Sequence, residues 1–138
     1  MVNKTEKVEE KGDGLMRYPW FDAYCMEKPG SQKDFKAEWN WIRYTVGGKL
    51  FAAVMVNADG EPTGISLKCE PEFGDYLRQT FDGITAGYYM NKVHWNTVWL
   101  DREAVPDDIV KEMADRSHRL IFSALPKKTQ AAILAENE

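Results

Sequence analysis

Ala86-Gly87-Tyr88-Tyr89-Met90-Asn91-Lys92-Val93-His94-Trp95-Asn96-Thr97-Val98-Trp99-Leu100 is the stretch around which the fold is organised. From Val93 onward its residues alternate. Strand side chains repeat every two residues, so Val93, Trp95, Thr97 and Trp99 share one face and His94, Asn96, Val98 and Leu100 the other. Val98 and Leu100 require burial, which makes theirs the core face. Trp95, Thr97 and Trp99 then belong to a second, partly open face.

Working outward, the flanking segments supply the rest of a sheet and its helices. Upstream, Trp41 to Val46 reads as a strand, with Ile42, Tyr44 and Val46 on one side and Trp41, Arg43 and Thr45 on the other. Gly47-Gly48 is a two-residue hairpin turn, because a type I′ turn needs φ > 0 at both positions. Lys49 to Asn57 returns as a strand whose continuous apolar content suits a central position. After the Ala58 to Pro62 turn, Thr63 to Cys69 is a third strand. A short strand around Ile84–Tyr88 joins the longer one from Val93 to Leu100 near Asn91-Lys92.

Three helices are predicted. The first starts near Tyr18-Pro19, carries Trp20, Phe21, Tyr24 and Cys25 at helical spacing, and stops at Pro29-Gly30. Ser31 to Glu38 reads as a polar connection. Pro71 opens the second, with Phe73, Tyr76, Leu77 and Thr80 inward, and Asp82-Gly83 ends it. Pro106, Asp107 and Asp108 open the third, whose stripe is Ile109, Val110, Met113, Ser117, Leu120, Ile121 and Ala124. Thr129 to Ala135 forms a last turn or two. The resulting order, α-β-β-β-α-β-β-α, predicts a single-domain α+β sandwich: a five-stranded antiparallel sheet with helices on one face. The expected core is Ile42, Tyr44, Leu50, Val54, Leu67, Leu77, Val98, Leu100, Met113, Leu120 and Ile121.

At 138 residues the chain holds one domain with a real core. Residues 1–14 read as a flexible charged arm, 15–128 as the domain and 129–138 as a tail. No apolar run approaches the roughly 20 residues of a membrane span, and the polar start has no secretory pattern, so a cytoplasmic protein is expected. The net charge is −4. Most of it sits in the two ends, which leaves a near-neutral body without the basic excess usual in nucleic-acid binders. Cys25 and Cys69, far apart in apolar-patterned segments, suit buried thiols rather than a disulfide.

Catalytic and metal signatures are sparse. Gly47-Gly48-Lys49 lacks the other glycine, the spacing and the Ser/Thr of a phosphate-binding loop. Two histidines and two cysteines are scattered, with no pair spaced to ligate, so neither metal nor cofactor is expected. His118 reads as a surface histidine on the last helix. His94, near Lys92 and Asn96, is either a proton-transfer group or a hydrogen-bonding tie for the strand edge and the Asn91-Lys92 turn. Asp107 and Asp108 are favourable charge at a helix N-terminus.

Several stretches carry a resemblance. They are Lys28-Pro29-Gly30, Val46 to Ala52, Leu67 to Glu72, Gly87 to Val98, Pro106-Asp107-Asp108 and Leu125-Pro126-Lys127-Lys128. Through these, and most specifically through Asn91-Lys92-Val93-His94-Trp95-Asn96-Thr97-Val98, the chain resembles the MmcQ/YjbR family of small bacterial proteins from about Trp20 to Lys128. The resemblance implies a compact α/β domain similar to secretion-chaperone-like and frataxin-like sandwiches. It also implies DNA binding through wing-like hairpins. Trp99 departs from the family pattern, where a polar or basic residue is commoner, and turns that spot from charge toward stacking.

The expected function is therefore a non-enzymatic binding domain using the open sheet face. Trp41, Arg43 and Thr45, Ser66 and Lys68, and Trp95, Thr97 and Trp99 all alternate outward on it. For nucleic acid, Arg43, Lys49, Lys68 and Lys92 would meet phosphate and Trp95 would stack, with His94, Asn96 and Trp99 beside them. The same face suits a small planar ligand or a peptide or protein partner. It could also be covered by the chain's own arm or C-terminal segment. An enzyme with His94 as general base is the further alternative. The protein is expected to be a monomer with no membrane partner.

Overall fold

A computed structural model describes residues 17–87 and 90–136, so the expected arm at 1–14, Tyr88, Tyr89 and the last two residues lie outside the described residues. The elements run α1 (Phe21–Met26), β1 (Ser31–Lys36), β2 (Trp41–Val46), β3 (Lys49–Val56), β4 (Pro62–Lys68), α2 (Pro71–Thr80), β5 (Ile84–Ala86), β6 (Trp95–Trp99), α3 (Asp107–Ser123) and α4 (Lys127–Glu136). All strand pairs are antiparallel, in the order β1-β2-β3-β4-β6-β5. Among the described residues no helix is long and apolar enough to cross a membrane.

The α+β sandwich is as expected, with one strand more. Ser31–Lys36 is an edge strand and not a polar connection. Its sequence, Ser-Gln-Lys-Asp-Phe-Lys, is mostly exposed and has no apolar alternation. Backbone pairing with β2 holds it in place, and its charges suit an edge that must not pair with another chain.

The helices pack on one face. Tyr18, Phe21, Ile42, Tyr44, Val54, Ile65, Leu67, Leu77, Val98, Val110 and Met113 form the main core. Leu100 and Ile121 pack against it partly buried. Leu120 is only half-buried at the margin of the helix stripe, which corrects its place in the expected core. His118 is buried, not on the surface. Its ring stacks on Phe122 (5.8 Å between centroids), meets Phe51 edge-on (5.1 Å), and its Nε2 lies 2.9 Å from the Pro29 carbonyl oxygen. Burial pushes its pKa down. Both cysteines are buried and free. Burial holds the Cys25 thiol well above its ordinary range and pushes Cys69 up to about 11.

The main departure lies in β3. Strict alternation puts Leu50, Ala52 and Val54 on one face. The ladder with β2 instead shifts register between Tyr44 and Thr45, so Tyr44 faces Ala52 while Thr45 faces Leu50. Phe51 is the extra residue of a β-bulge. Phe51 and Ala52 both enter the main core, and Leu50 emerges on the opposite face. Ser117 of α3, fully buried, donates to the Phe51 carbonyl and accepts from the Lys68 backbone N–H at 2.9 Å. One helix serine thus satisfies two strand groups beside the bulge. The hairpin has the expected turn, with φ of +57° at Gly47 and +79° at Gly48.

Candidate ligand-binding face

The face away from the helices is built in rows across the sheet. In one row Trp41 (β2), Met55 (β3), Gly64 (β4) and Trp99 (β6) stand opposite one another in register. The next row holds Asp34, Arg43, Ala53, Ser66, Thr97 and Thr85. Trp41, Ala53 and Met55 form a second apolar cluster, with Leu50, Met90 and Trp99 packed against it. Ser66 and Thr97 are buried here too, their hydroxyls 3.1 Å apart. Met90, in the loop between β5 and β6, therefore covers part of this face. Asn91 shapes that loop, its side-chain oxygen accepting from Val93 N–H at 2.8 Å.

A further tryptophan stands beside the first row. The turn from β1 to β2 places Asn40 at φ +56°, a conformation asparagine tolerates. It sets Trp39, which is 53% exposed, edge-on to Trp41 at 5.2 Å. On the far side Trp99 is fixed by its Nε1–H donating to Thr85 Oγ1 at 2.9 Å, with the Arg102 guanidinium 5.4 Å over its ring. Gly64 lies beneath. A Cβ there would come within 2.7 Å of Met55 Cε and 3.4 Å of Trp99 Cε3, so glycine lets the floor close. Three strand spacings, about 14 Å, separate the Trp41 and Trp99 backbones.

This arrangement leaves two open clefts, one on each side of the Trp39–Trp41 pair. The first, about 630 Å³, is lined by Glu38, Trp39, Trp41, Leu50 and Met90. The second, about 550 Å³, runs from Trp39 and Trp41 over Met55 to Trp99 and Arg102. Both have the size of small-molecule sites. Flat aromatic walls and a thioether floor favour planar apolar groups.

The expected site residues do not all meet here. Trp99 does. Arg43 is on the same face, but its guanidinium holds the Asp34 carboxylate through two bonds of 2.8 and 2.7 Å. That pairing keeps the Asp34 carboxyl below its usual range. Lys68 stands opposite Trp95 on the neighbouring strand, and both are half-buried. Lys49 and Lys92 are exposed, on the hairpin and on the Asn91 turn. His94 is half-buried, its carbonyl accepting from Cys69 N–H at 2.9 Å, and it lines neither cleft. Asn96 points the other way and is fully buried. Its side chain accepts from Arg78 of α2 and donates to Cys69 Sγ at 3.3 Å. Gly74 of α2 leaves room for it, since a Cβ there would be 3.0 Å from Asn96 Nδ2. Among the described residues, no group of three or more His, Cys, Asp or Glu is placed to hold a metal ion.

The family model for YjbR matches residues 26–120, which hold the whole sheet, α2 and most of α3. The chain belongs to the YjbR family. Uncharacterized protein YjbR of Escherichia coli K12 is 32% identical over 111 residues, covering 80% of this chain and 92% of its own. Uncharacterized protein YyaQ of Bacillus subtilis is 29% identical over 109 residues, covering 70% and 91%. The crystal structure of Deinococcus radiodurans protein DR2400, with a DUF419 domain, superposes at a TM-score of 0.72. It is 30% identical, over 82% of this chain and 84% of its own. A Pseudomonas syringae protein at a TM-score of 0.55 and 22% identity shares the fold, over 87% and 99%.

For this YjbR-family chain, the sequence reading found Trp41 and Trp99 but missed Trp39, Met55, Thr85 and Arg102 as lining residues. Neither Trp39 nor Arg102 follows from alternation: Trp39 sits in the turn before β2, with Asn40 at φ +56° between it and Trp41, and Arg102 follows the end of β6, where period-two reasoning stops.

Proposed function

We propose that this domain is a non-enzymatic binding module whose open sheet face takes a flat, largely apolar group against Trp39, Trp41 and Trp99. The observation that carries this reading is the row Trp41–Met55–Gly64–Trp99, which makes a shallow apolar floor between indole walls. His94 stands outside both clefts, so no proton transfer is assigned to it. The test is a titration with an uncharged naphthyl probe followed by the probe's own fluorescence. Binding should weaken at least about tenfold in Trp41→Ala, since an aromatic stack contributes roughly 1–3 kcal/mol. It should be unchanged in Lys68→Glu. Absence of saturable binding to the wild type sinks the reading.

Nucleic acid is the second reading, favoured by Lys68 standing directly opposite Trp95, with Lys92 in the preceding turn. Arg43 supports it less than its sequence position suggests, because phosphate would have to displace Asp34. Oligonucleotide affinity should then fall with rising salt as counterions are released, and Lys68→Glu should abolish it. No binding of single- or double-stranded oligonucleotides at low salt removes this reading.

A further inference from the structure

The two clefts differ in charge. Glu38 stands on the rim of the first, 3.7 Å from Lys36. In the second, Arg102 is the one charged residue among the described residues of the lining. Arg43, Arg78 and Arg116 each hold a carboxylate, whereas among the described residues no carboxylate is paired with Arg102. Its neighbours Asp101 and Glu103 are exposed and do not line the cleft. The threonine hydroxyls of the lining are already engaged. Thr85 Oγ1 accepts from Trp99 Nε1–H and donates to the Ala86 carbonyl at 3.1 Å, and Thr63 Oγ1 donates to the Met55 carbonyl at 3.2 Å. Among the described lining residues, recognition of an anion therefore falls to one guanidinium held over an indole. A guanidinium stacked on a ring keeps its N–H edge for a bidentate carboxylate.

We infer that the cleft between the Trp39–Trp41 pair and Trp99 takes an aromatic carboxylate, its ring against the indoles and its acid on Arg102. This rests on the cleft reading above and names the chemical class that the cleft selects. A two-ring aryl acid suits a cleft of about 550 Å³.

The test compares 2-naphthoate with the uncharged 2-naphthamide by calorimetry, on the whole protein and on Arg102→Gln. Arg102 is exposed, so the variant should keep the wild-type circular dichroism spectrum. The wild type should bind naphthoate at least about tenfold tighter than naphthamide, the ratio expected of a charge-assisted hydrogen-bonded pair. In Arg102→Gln that preference should shrink to within about twofold. Equal affinities in the wild type, or a preference that survives the substitution, overturn the inference and leave the cleft reading standing. If neither compound binds, both fail.

Discussion

Replacing Ser117 by alanine should destabilise the protein by about 1.5–5.5 kcal/mol, although it removes a single oxygen. The hydroxyl is fully buried and joins two strands, donating to the Phe51 carbonyl and accepting from the Lys68 N–H. Without it a buried acceptor and a buried donor both lose this partner. Each such group costs about 1–3 kcal/mol, and the gain in helix propensity from serine to alanine returns only about 0.5 kcal/mol. The control is Ser123→Ala, an exposed serine in the last turn of the same helix, which should stay within about 0.5 kcal/mol of wild type. Urea unfolding followed by tryptophan fluorescence should show a lower midpoint for Ser117→Ala with an unchanged slope, since the surface exposed on unfolding is the same. A midpoint shift no larger than that of Ser123→Ala would refute the bulge account. Water or neighbouring strands would then be satisfying the groups assigned to Ser117.

Two further outcomes follow from the same packing. Burial lowers the pKa of His118 below its ordinary 6.5, so its contribution to stability is fully present above pH 6.5 and is lost as pH falls through the lowered value. Unfolding midpoints at pH 7.5 and 5.5 should drop in the wild type and drop less in His118→Phe; parallel drops contradict the assignment. The lowered carboxyls of Asp34 and Glu70 act only at more acid pH, since their ordinary values are 3.8 and 4.5. Gly47→Ala should destabilise more than Gly48→Ala, although both positions have positive φ. A Cβ on Gly47 would lie 2.7 Å from Leu125 Cδ1, whereas one on Gly48 meets nothing within 4 Å. The backbone cost common to both is about 1 kcal/mol. Thermal denaturation of the pair measures the difference, and equal losses would mean that Leu125 moves aside freely.

Much of the sheet was legible because its central strands obey simple periodicity. Val98 is in the main core and Trp99 on the opposite face, as alternation from Val93 requires. The Gly47-Gly48 turn followed from φ alone. Leu50 went astray because a bulge is one inserted residue, invisible to a period-two pattern, and its stabilising contact comes from Ser117, 66 residues away from Phe51 in sequence. The edge strand Ser31–Lys36 was missed because backbone pairing holds it without burying a stripe of its side chains. The candidate site was legible only in part. Face membership follows from register, so Trp41 and Trp99 were found. Partnership does not, and Arg43 on Asp34 and Asn96 on Arg78 are pairings that only the fold creates.

The central claim, that the tryptophan clefts are the binding face, is tested most directly by the five indole N–H resonances. Assigned through single Trp→Phe variants, they report separately on Trp20, Trp39, Trp41, Trp95 and Trp99. Titration with 2-naphthamide should shift the Trp39, Trp41 and Trp99 signals together, saturably and with one dissociation constant, while Trp20 and Trp95 stay in place. Saturable shifts confined to Trp20 or Trp95, or none at any of the five, would contradict the account.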